Sequence, residues 1–219
     1  MTETFQDRTE AGQLLAAELK RYAGEPNLII LGLPRGGVPV AFEVATALRA
    51  PFDVFIVRKL GTPGQRELAM GAIATGDVRV INDEVVRTLN IPMTVIDDVA
   101  AEEARELKRR EFAYRGDYSE PQVSGKTVIL IDDGIATGST MHAAIRALKS
   151  QEPRRLIVAV PTCAPTTFHE LRHEVDEFVA LMTPEPFYGV GQWYADFSQT
   201  SDAEVSELLA RARRNLSTL

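Results

Sequence analysis

Sulfur chemistry is nearly absent from this chain: one residue in 219 is a cysteine, Cys163. A lone thiol forms no intramolecular disulfide and builds no multi-cysteine metal site. It follows an apolar run in Val160-Pro161-Thr162-Cys163, which reads as a buried, inert thiol rather than a nucleophile. Histidine is almost as scarce. His142, His169 and His173 show no metal-ligand arrangement. His169 and His173 are four residues apart, but Glu170-Leu171-Arg172 between them does not make the metalloprotease pattern, so a surface helix face is expected. The absence of G-x-S-x-G removes support for a serine hydrolase. No apolar run approaches the ~20 residues a membrane span needs, and Met1-Thr2-Glu3-Thr4 is too acidic and polar for a signal peptide. The expected location is the cytoplasm. Excess positive charge is missing too. A net charge of −7 weighs against a general nucleic-acid footprint. The local clusters Lys108-Arg109-Arg110 and Arg211, Arg213, Arg214 read as solvated helix faces.

What is present suits one domain with its own core. The chain is 45% apolar and 25% charged, and at this length folding buries about 70% of the unfolded surface. Residues 8–23 carry a helical stripe of Ala11, Leu14, Leu15, Leu19 and Tyr22. Leu28-Ile29-Ile30-Leu31 reads as a buried strand, and Val40, Val44, Ala47 and Leu48 mark a helix after Pro39. Residues 53–57 read as a second strand. Ala72–Thr75 and Val78–Ile81 read as a hairpin joined by a two-residue turn, Gly76-Asp77. A charged helix spans 94–113, with Glu106 and Arg110 spaced for an i,i+4 pair. A polar connector covers 116–125. Strands follow near 126–131, 155–160 and 177–181, with helices near 139–150 and 165–173. Alternation at this spacing predicts an α/β fold, with a doubly wound, mainly parallel sheet flanked by helices and an inserted β-hairpin. The core is expected over about 8–182. A small C-terminal hood follows over about 183–219, with Phe187, Tyr188, Trp193, Tyr194 and Phe197 and a last helix presenting Val205, Leu208, Leu209 and Ala212.

One stretch carries chemistry: Val128-Ile129-Leu130-Ile131-Asp132-Asp133-Gly134-Ile135-Ala136-Thr137-Gly138-Ser139-Thr140. The apolar run is a strand buried on both faces. Two carboxylates at its C-terminal end sit where open α/β sheets bind ligands. The loop after them offers clustered backbone N–H groups and three hydroxyls before a helix, which is a phosphate cradle. An anionic phosphate with vicinal hydroxyls nearby, as in a ribose 5-phosphate, fits. The chain holds its own control in Val95-Ile96-Asp97-Asp98, where Ala100-Ala101-Glu102-Glu103 follows without glycine or hydroxyls. Those acids are expected to favour a helix N-terminus through its dipole. Neither a Walker loop nor a dinucleotide fingerprint fits: the lysine and spacing of the first are missing, and Gly32-Leu33-Pro34-Arg35-Gly36-Gly37 has the wrong spacing for the second.

The segment 128–140 resembles the phosphoribosyl-diphosphate (PRPP) signature of the type I phosphoribosyltransferases. The resemblance implies that Asp132 and Asp133 take the ribose hydroxyls. It also implies that Gly134, Ile135, Ala136, Thr137, Gly138, Ser139 and Thr140 hold the 5-phosphate. The loop Leu31–Pro39 is similar to the family's diphosphate loop, with Arg35, Gly36 and Gly37 as its contacts, and in relatives this loop can hold a non-proline cis peptide. Arg58-Lys59 resembles the Arg-Lys placed beside the diphosphate in adenine- and orotate-type members, and Gly61–Glu67 has the composition of a closing lid, with Arg66 and Glu67 as weaker candidates. Mg²⁺ is implied on the diphosphate, mostly through substrate oxygens and water, with no dedicated protein metal site. The implied reaction transfers ribose 5-phosphate from PRPP to a nitrogenous, nucleobase-like acceptor and releases diphosphate, within nucleotide metabolism.

Two departures bear on the acceptor. The 6-oxopurine members carry an acid before Thr-Gly in this loop, and this chain has Ala136, as adenine-type loops do. The aromatic tail matches no known specificity: Phe187, Tyr188, Trp193 and Tyr194 are open to stacking on an acceptor, to a small hydrophobic core or to a homodimer contact. A PRPP- or nucleotide-binding regulator on the same scaffold is the alternative to an enzyme. A PRPP synthase-like diphosphotransferase is disfavoured, because that group usually needs a longer chain with a tandem domain.

Overall fold

In chain order the elements are α1 (Arg8–Glu18), β1 (Leu28–Gly32), α2 (Gly37–Leu48), β2 (Phe52–Val54), β3 (Val57–Thr62), β4 (Gln65–Ala74), β5 (Val78–Ile81), α3 (Asp83–Thr88), α4 (Met93–Arg115), β6 (Thr127–Ile131), α5 (Ser139–Lys149), β7 (Arg155–Thr162), α6 (Pro165–Leu171), β8 (Glu177–Met182) and α7 (Asp202–Leu216). The computed structural model describes residues 4–216, without the side chains of Arg66, Glu67 and Leu216. The first three residues of the N-terminal reading and the side chains of the two lid candidates therefore lie outside it.

β2, β1, β6, β7 and β8 form, in that order, one sheet in which every pair is parallel. The unbroken apolar runs follow from burial on both faces. Alternate residues point to opposite faces. Ile30, Ile129, Ile131, Ile157 and Ala159 join a core with α1, α2 and α7. Ile29, Leu31, Val128, Leu130, Leu156 and Val158 join a second core with α5. The strand order turns at the β1/β6 pair: β2 lies beyond β1 on one side, and β7 and β8 beyond β6 on the other. Such a switch opens a crevice at the carboxyl ends of the two central strands.

Several boundaries differ from expectation. The helix expected after Pro39 begins at Gly37, because the first turn of a helix needs no N–H from proline. The expected strand over 53–57 is broken: β2 ends at Val54, and from Val57 the chain enters a separate antiparallel sheet, β3-β4-β5. The expected hairpin is thus the second half of a three-stranded insertion. Its turn has three residues, Thr75, Gly76 and Asp77, with Ala74 paired to Val78 and with φ of +93° at Gly76 and +51° at Asp77. The stretch expected as a lid closes the β3–β4 hairpin. α3 has no counterpart in the sequence pattern; its six residues include none that is buried, so periodicity has nothing to show.

α4 is anchored by a buried ion pair from Arg115 Nε to Asp53 Oδ1 at 2.7 Å, with Nη2 donating to the Val54 carbonyl at 2.6 Å. The Glu106–Arg110 pair forms at 2.8 Å. The tail divides. Residues Trp193 and Tyr194 pack with Phe5 and Ala11, and Phe5 N–H donates to the Trp193 carbonyl at 2.9 Å. α7 instead returns to the main core through Val205, Leu208, Leu209 and Ala212, the face expected of it. Among the described residues no helix is long and apolar enough to cross a membrane.

Candidate functional site

The alternation that builds β6 also aims the two acids that end it. Val128 and Leu130 face α5, and Ile129 and Ile131 face α1 and α2. Continued past the strand, the same alternation sends Asp132 toward α5 and Asp133 toward α1 and α2. The contacts agree. Asp132 lines a cavity of about 130 Å³ together with Gly134, Ile135, Ala136, Thr137, Gly138, Ser139 and Thr140. Asp133 meets the α1 and α2 ends: its Oδ2 accepts from Arg8 Nε at 2.9 Å and lies 2.8 Å from Arg8 Nη2. Burial and the neighbouring Asp133 charge push the Asp132 carboxyl well above the usual carboxylate range. Burial raises Asp133 as well, against the opposing pull of Arg8.

The loop after the acids is held at both ends. Ile135 N–H donates to the Thr162 carbonyl at 3.0 Å, Ala164 N–H donates to the Ile135 carbonyl at 2.9 Å, and the Thr167 hydroxyl donates to the Ala136 carbonyl at 2.5 Å. Gly138 caps α5 with φ +72°, and a Cβ there would lie 2.6 Å from Thr167 Cγ2, so both conformation and space call for glycine. The first intrahelical bond of α5 runs from His142 N–H to the Gly138 carbonyl. The N–H groups of Ser139, Thr140 and Met141 therefore have no partner within the helix and open onto the positive end of its dipole. Thr137 Oγ1 and Ser139 Oγ stand 3.4 Å apart at the same mouth. This geometry suits an anion.

The loop after β1 is pressed against the acids. Leu33 N–H donates to the Ile131 carbonyl at 2.8 Å. A Cβ on Gly36 would fall 2.0 Å from Asp133 Oδ2, and one on Gly37 2.6 Å from the Ile131 carbonyl oxygen. The Pro34–Arg35 peptide is cis, the kind of bond the resemblance allows in this loop. Arg35 leans toward α7, with Nη1 3.5 Å from Asp202 Oδ1, and the Tyr114 hydroxyl donates to the same oxygen at 2.9 Å.

Arg58 and Lys59, neighbours in sequence, part company on β3. Arg58 pairs with Glu103 of α4, Nε to Oε2 at 2.6 Å. Lys59 faces the other way and lines a second cavity, about 230 Å³, with Ser139, His142 and Arg146 of α5 and Leu68, Ala72 and Ile81 of the antiparallel sheet. The two cavities adjoin at Ser139.

Two contacts to Asp133 come from the chain ends: one from Arg8, which the sequence analysis does not single out, and one from Tyr194, which it names only as an aromatic of the tail. Arg8 sits in the first turn of α1, and its guanidinium lies 4.1 Å above the Phe197 ring while Nη1 donates to the Ser198 carbonyl at 2.7 Å. The buried Tyr194 hydroxyl donates to the Asp133 carbonyl at 2.5 Å, and burial pushes that hydroxyl's pKa up. Neither residue lies in a motif. Of the aromatic tail, Trp193 and Tyr194 are buried in the small core with Phe5, Phe187 packs on Trp193, and Tyr188 is 87% exposed. Cys163 is buried, and burial pushes its thiol up to about 12, as suits an inert group.

Comparison with known proteins points to one family. Residues 3–179 match the family model described as phosphoribosyl transferase domain. A Mycobacterium tuberculosis protein provisionally named a phosphoribosyl transferase is 44% identical over 211 residues, which are 96% of this chain and 47% of that protein. The chain thus spans about half the length of that relative. A uracil phosphoribosyltransferase of Sulfolobus acidocaldarius is 41% identical over 69 residues, covering 30% of this chain and 32% of that one. The crystal structure of the Thermus thermophilus protein TT1426 superposes with a TM-score of 0.87 at 38% identity, covering 95% of this chain and 98% of that one.

Proposed function

The chain belongs to the phosphoribosyl transferase domain family, and on that premise we propose that it transfers ribose 5-phosphate from PRPP to a nitrogenous, nucleobase-like acceptor with release of diphosphate. The observation that carries this reading is the shared cavity: Asp132 opens onto the same space as the Gly134–Thr140 loop and the N-terminus of α5. A phosphate and a diol a few ångströms apart are what that pairing of groups would bind.

Each group then has a task. The N–H groups and hydroxyls of Thr137–Thr140 hold the 5-phosphate. Asp132 and Asp133 accept from the ribose hydroxyls and fix the sugar. The acceptor nitrogen attacks C1 as the bond to diphosphate breaks, and the electron pair leaves with the diphosphate. The protein's share is to position the reactants, exclude water and stabilise the departing anion. Arg35 with the Gly36 and Gly37 backbone, and Lys59 from across the cleft, serve that anion. Arg58 reaches it only if its pair with Glu103 opens. The Arg35–Gly37 loop, with its guanidinium and open glycine backbone, fits a diphosphate that would itself carry Mg²⁺ through its own oxygens and water. When bound, the ion would neutralise charge on the leaving group.

Ala136 offers no acid to a 6-oxopurine, so guanine or hypoxanthine chemistry by that route is not part of the proposal. The Sulfolobus relative supports a nucleobase-like acceptor. The test is diphosphate release from PRPP and Mg²⁺ against a panel of purine, pyrimidine and other nitrogen acceptors. Acceptor-dependent release is expected. Tight PRPP binding without turnover on any acceptor would overturn the transferase in favour of a regulator on the same scaffold.

A further inference from the structure

Arg8 is an unusual neighbour for a substrate-binding acid. It lies 125 residues away in sequence, yet both its Nε and its Nη2 approach Asp133 Oδ2, at 2.9 and 2.8 Å, with only 12% of either side chain exposed. A charge-assisted contact this sheltered is stronger than one in water. The guanidinium is itself fixed from behind, over the Phe197 ring and against the Ser198 carbonyl. The C-terminal tail thereby sets where Arg8 stands, and Arg8 sets where Asp133 stands.

We propose that Arg8 is a positioning residue for sugar binding: it clamps Oδ2 of Asp133, keeps that carboxylate ionised and leaves Oδ1 to a ribose hydroxyl, and it does so only while the tail around Phe197 is docked. This rests on the reading of Asp132 and Asp133 as ribose ligands.

Three observations support it beyond the ion pair. The Gly36 backbone comes so close to the same oxygen that a Cβ there would fall 2.0 Å from Asp133 Oδ2, so the loop after β1 leaves that carboxylate little room to move. The Tyr194 hydroxyl grips the Asp133 carbonyl, so the tail holds both backbone and side chain of the same acid. The charged and titratable groups that face Asp133 are Arg8 from α1, Asp132 from its own turn and Tyr194 from the tail. Burial disfavours ionisation of Asp133, and Arg8 is the one cation among these groups to oppose it. Without it, a buried acid beside another acid takes up a proton and stops accepting from a sugar hydroxyl.

The experiment is PRPP binding by calorimetry across pH 5–8 for the full chain and for Arg8→Met, Arg8→Lys and Phe197→Ala, with thermal melts in parallel. For Arg8→Met the acid limb of the binding profile should move up by about one pH unit, and affinity at pH 7 should fall about tenfold. Arg8→Lys should restore part of both. Phe197→Ala, which leaves both ion-pair partners in place, should move the same limb by a smaller amount. That variant carries the test if Arg8→Met does not fold. A purely structural Arg8 would lower the melting temperature and weaken binding equally at every pH, and that result would overturn the proposal. Failure of the unaltered protein to bind PRPP at all would instead overturn the assignment of the site.

Discussion

Asp132-Asp133 and Asp97-Asp98 are the same dipeptide behind the same kind of apolar residues, and the fold treats them oppositely. Asp97 and Asp98 lie in the second turn of α4, both exposed, where Asp97 makes a 2.7 Å pair with Arg79 of β5. The sequence predicts that they serve a helix N-terminus, but α4 starts at Met93 and the dipole's influence fades within the first turn. Asp132 and Asp133 close a strand buried on both faces and stand between a phosphate-type loop, an arginine and a glycine loop. Water solvates the first pair, so its charges cost little and contribute little. The second pair is held where its charge is expensive, which is useful only if a ligand repays the cost.

The sharpest way to break this contrast is at Gly36. Alanine there would place its Cβ 2.0 Å from Asp133 Oδ2, and the loop or the acid must move. Gly36→Ala is expected to lower PRPP affinity by about 100-fold or more, a misplacement effect, read by calorimetry with circular dichroism as the folding control. The α4 acids have Ala100 and Ala101 close behind them on an open helix surface, where a methyl group meets no such oxygen.

The double exchange Asp132→Asn with Asp133→Asn should weaken PRPP binding by about two orders of magnitude, or roughly 3 kcal/mol, with the fold intact. The matching exchange Asp97→Asn with Asp98→Asn should leave affinity within about twofold. Equal effects of the two would sink the distinction between them.

Stability should run the other way. The native Asp132 carboxyl titrates above its unfolded value, so the stability linked to it is complete below the unfolded value near pH 3.9. That stability is lost as pH rises through the higher native value. The carboxyl therefore contributes less stability at neutral pH than in acid. Asp132→Asn should raise the melting temperature at pH 7 by about 3 °C and gain little near pH 4. A fall in melting temperature at pH 7 would refute the burial argument. The smallest effect belongs to Asp97→Asn alone. It loosens an exposed ion pair and should cost no more than about 0.5 kcal/mol, diminishing in high salt.

Legibility follows the same division. Strand β6, the loop after it and α5 can be read because burial on two faces, glycine placement and hydroxyl clustering are local properties of consecutive residues. The break at Phe55-Ile56 cannot. Both residues are buried like those of a strand, and only the choice of hydrogen-bond partner, Gly32 for one and Thr75 for the other, tells where one sheet ends and another begins. The adjacent cations Arg58 and Lys59 look like a unit. A strand's alternation separates them, one to Glu103 of α4 and the other to the cleft beside α5. The aromatic tail is visible as composition, but its division between a buried pair, Trp193 and Tyr194, and an exposed Tyr188 is not.

The sequence by itself determined the parallel α/β core and the two glycine-bearing loops, with an acid pair at the end of the central strand, because periodicity and backbone freedom are written residue by residue. Tertiary structure alone decided that Arg8 meets Asp133, where the antiparallel insertion starts, and that Phe5, Tyr194 and Phe197 gather with Arg8 beside that acid. Those outcomes depend on pairings between segments from about twenty residues apart, as for Ile56 and Thr75, to 125 apart, as for Arg8 and Asp133. No local pattern encodes such a pairing; it exists only once the sheet has brought the segments together.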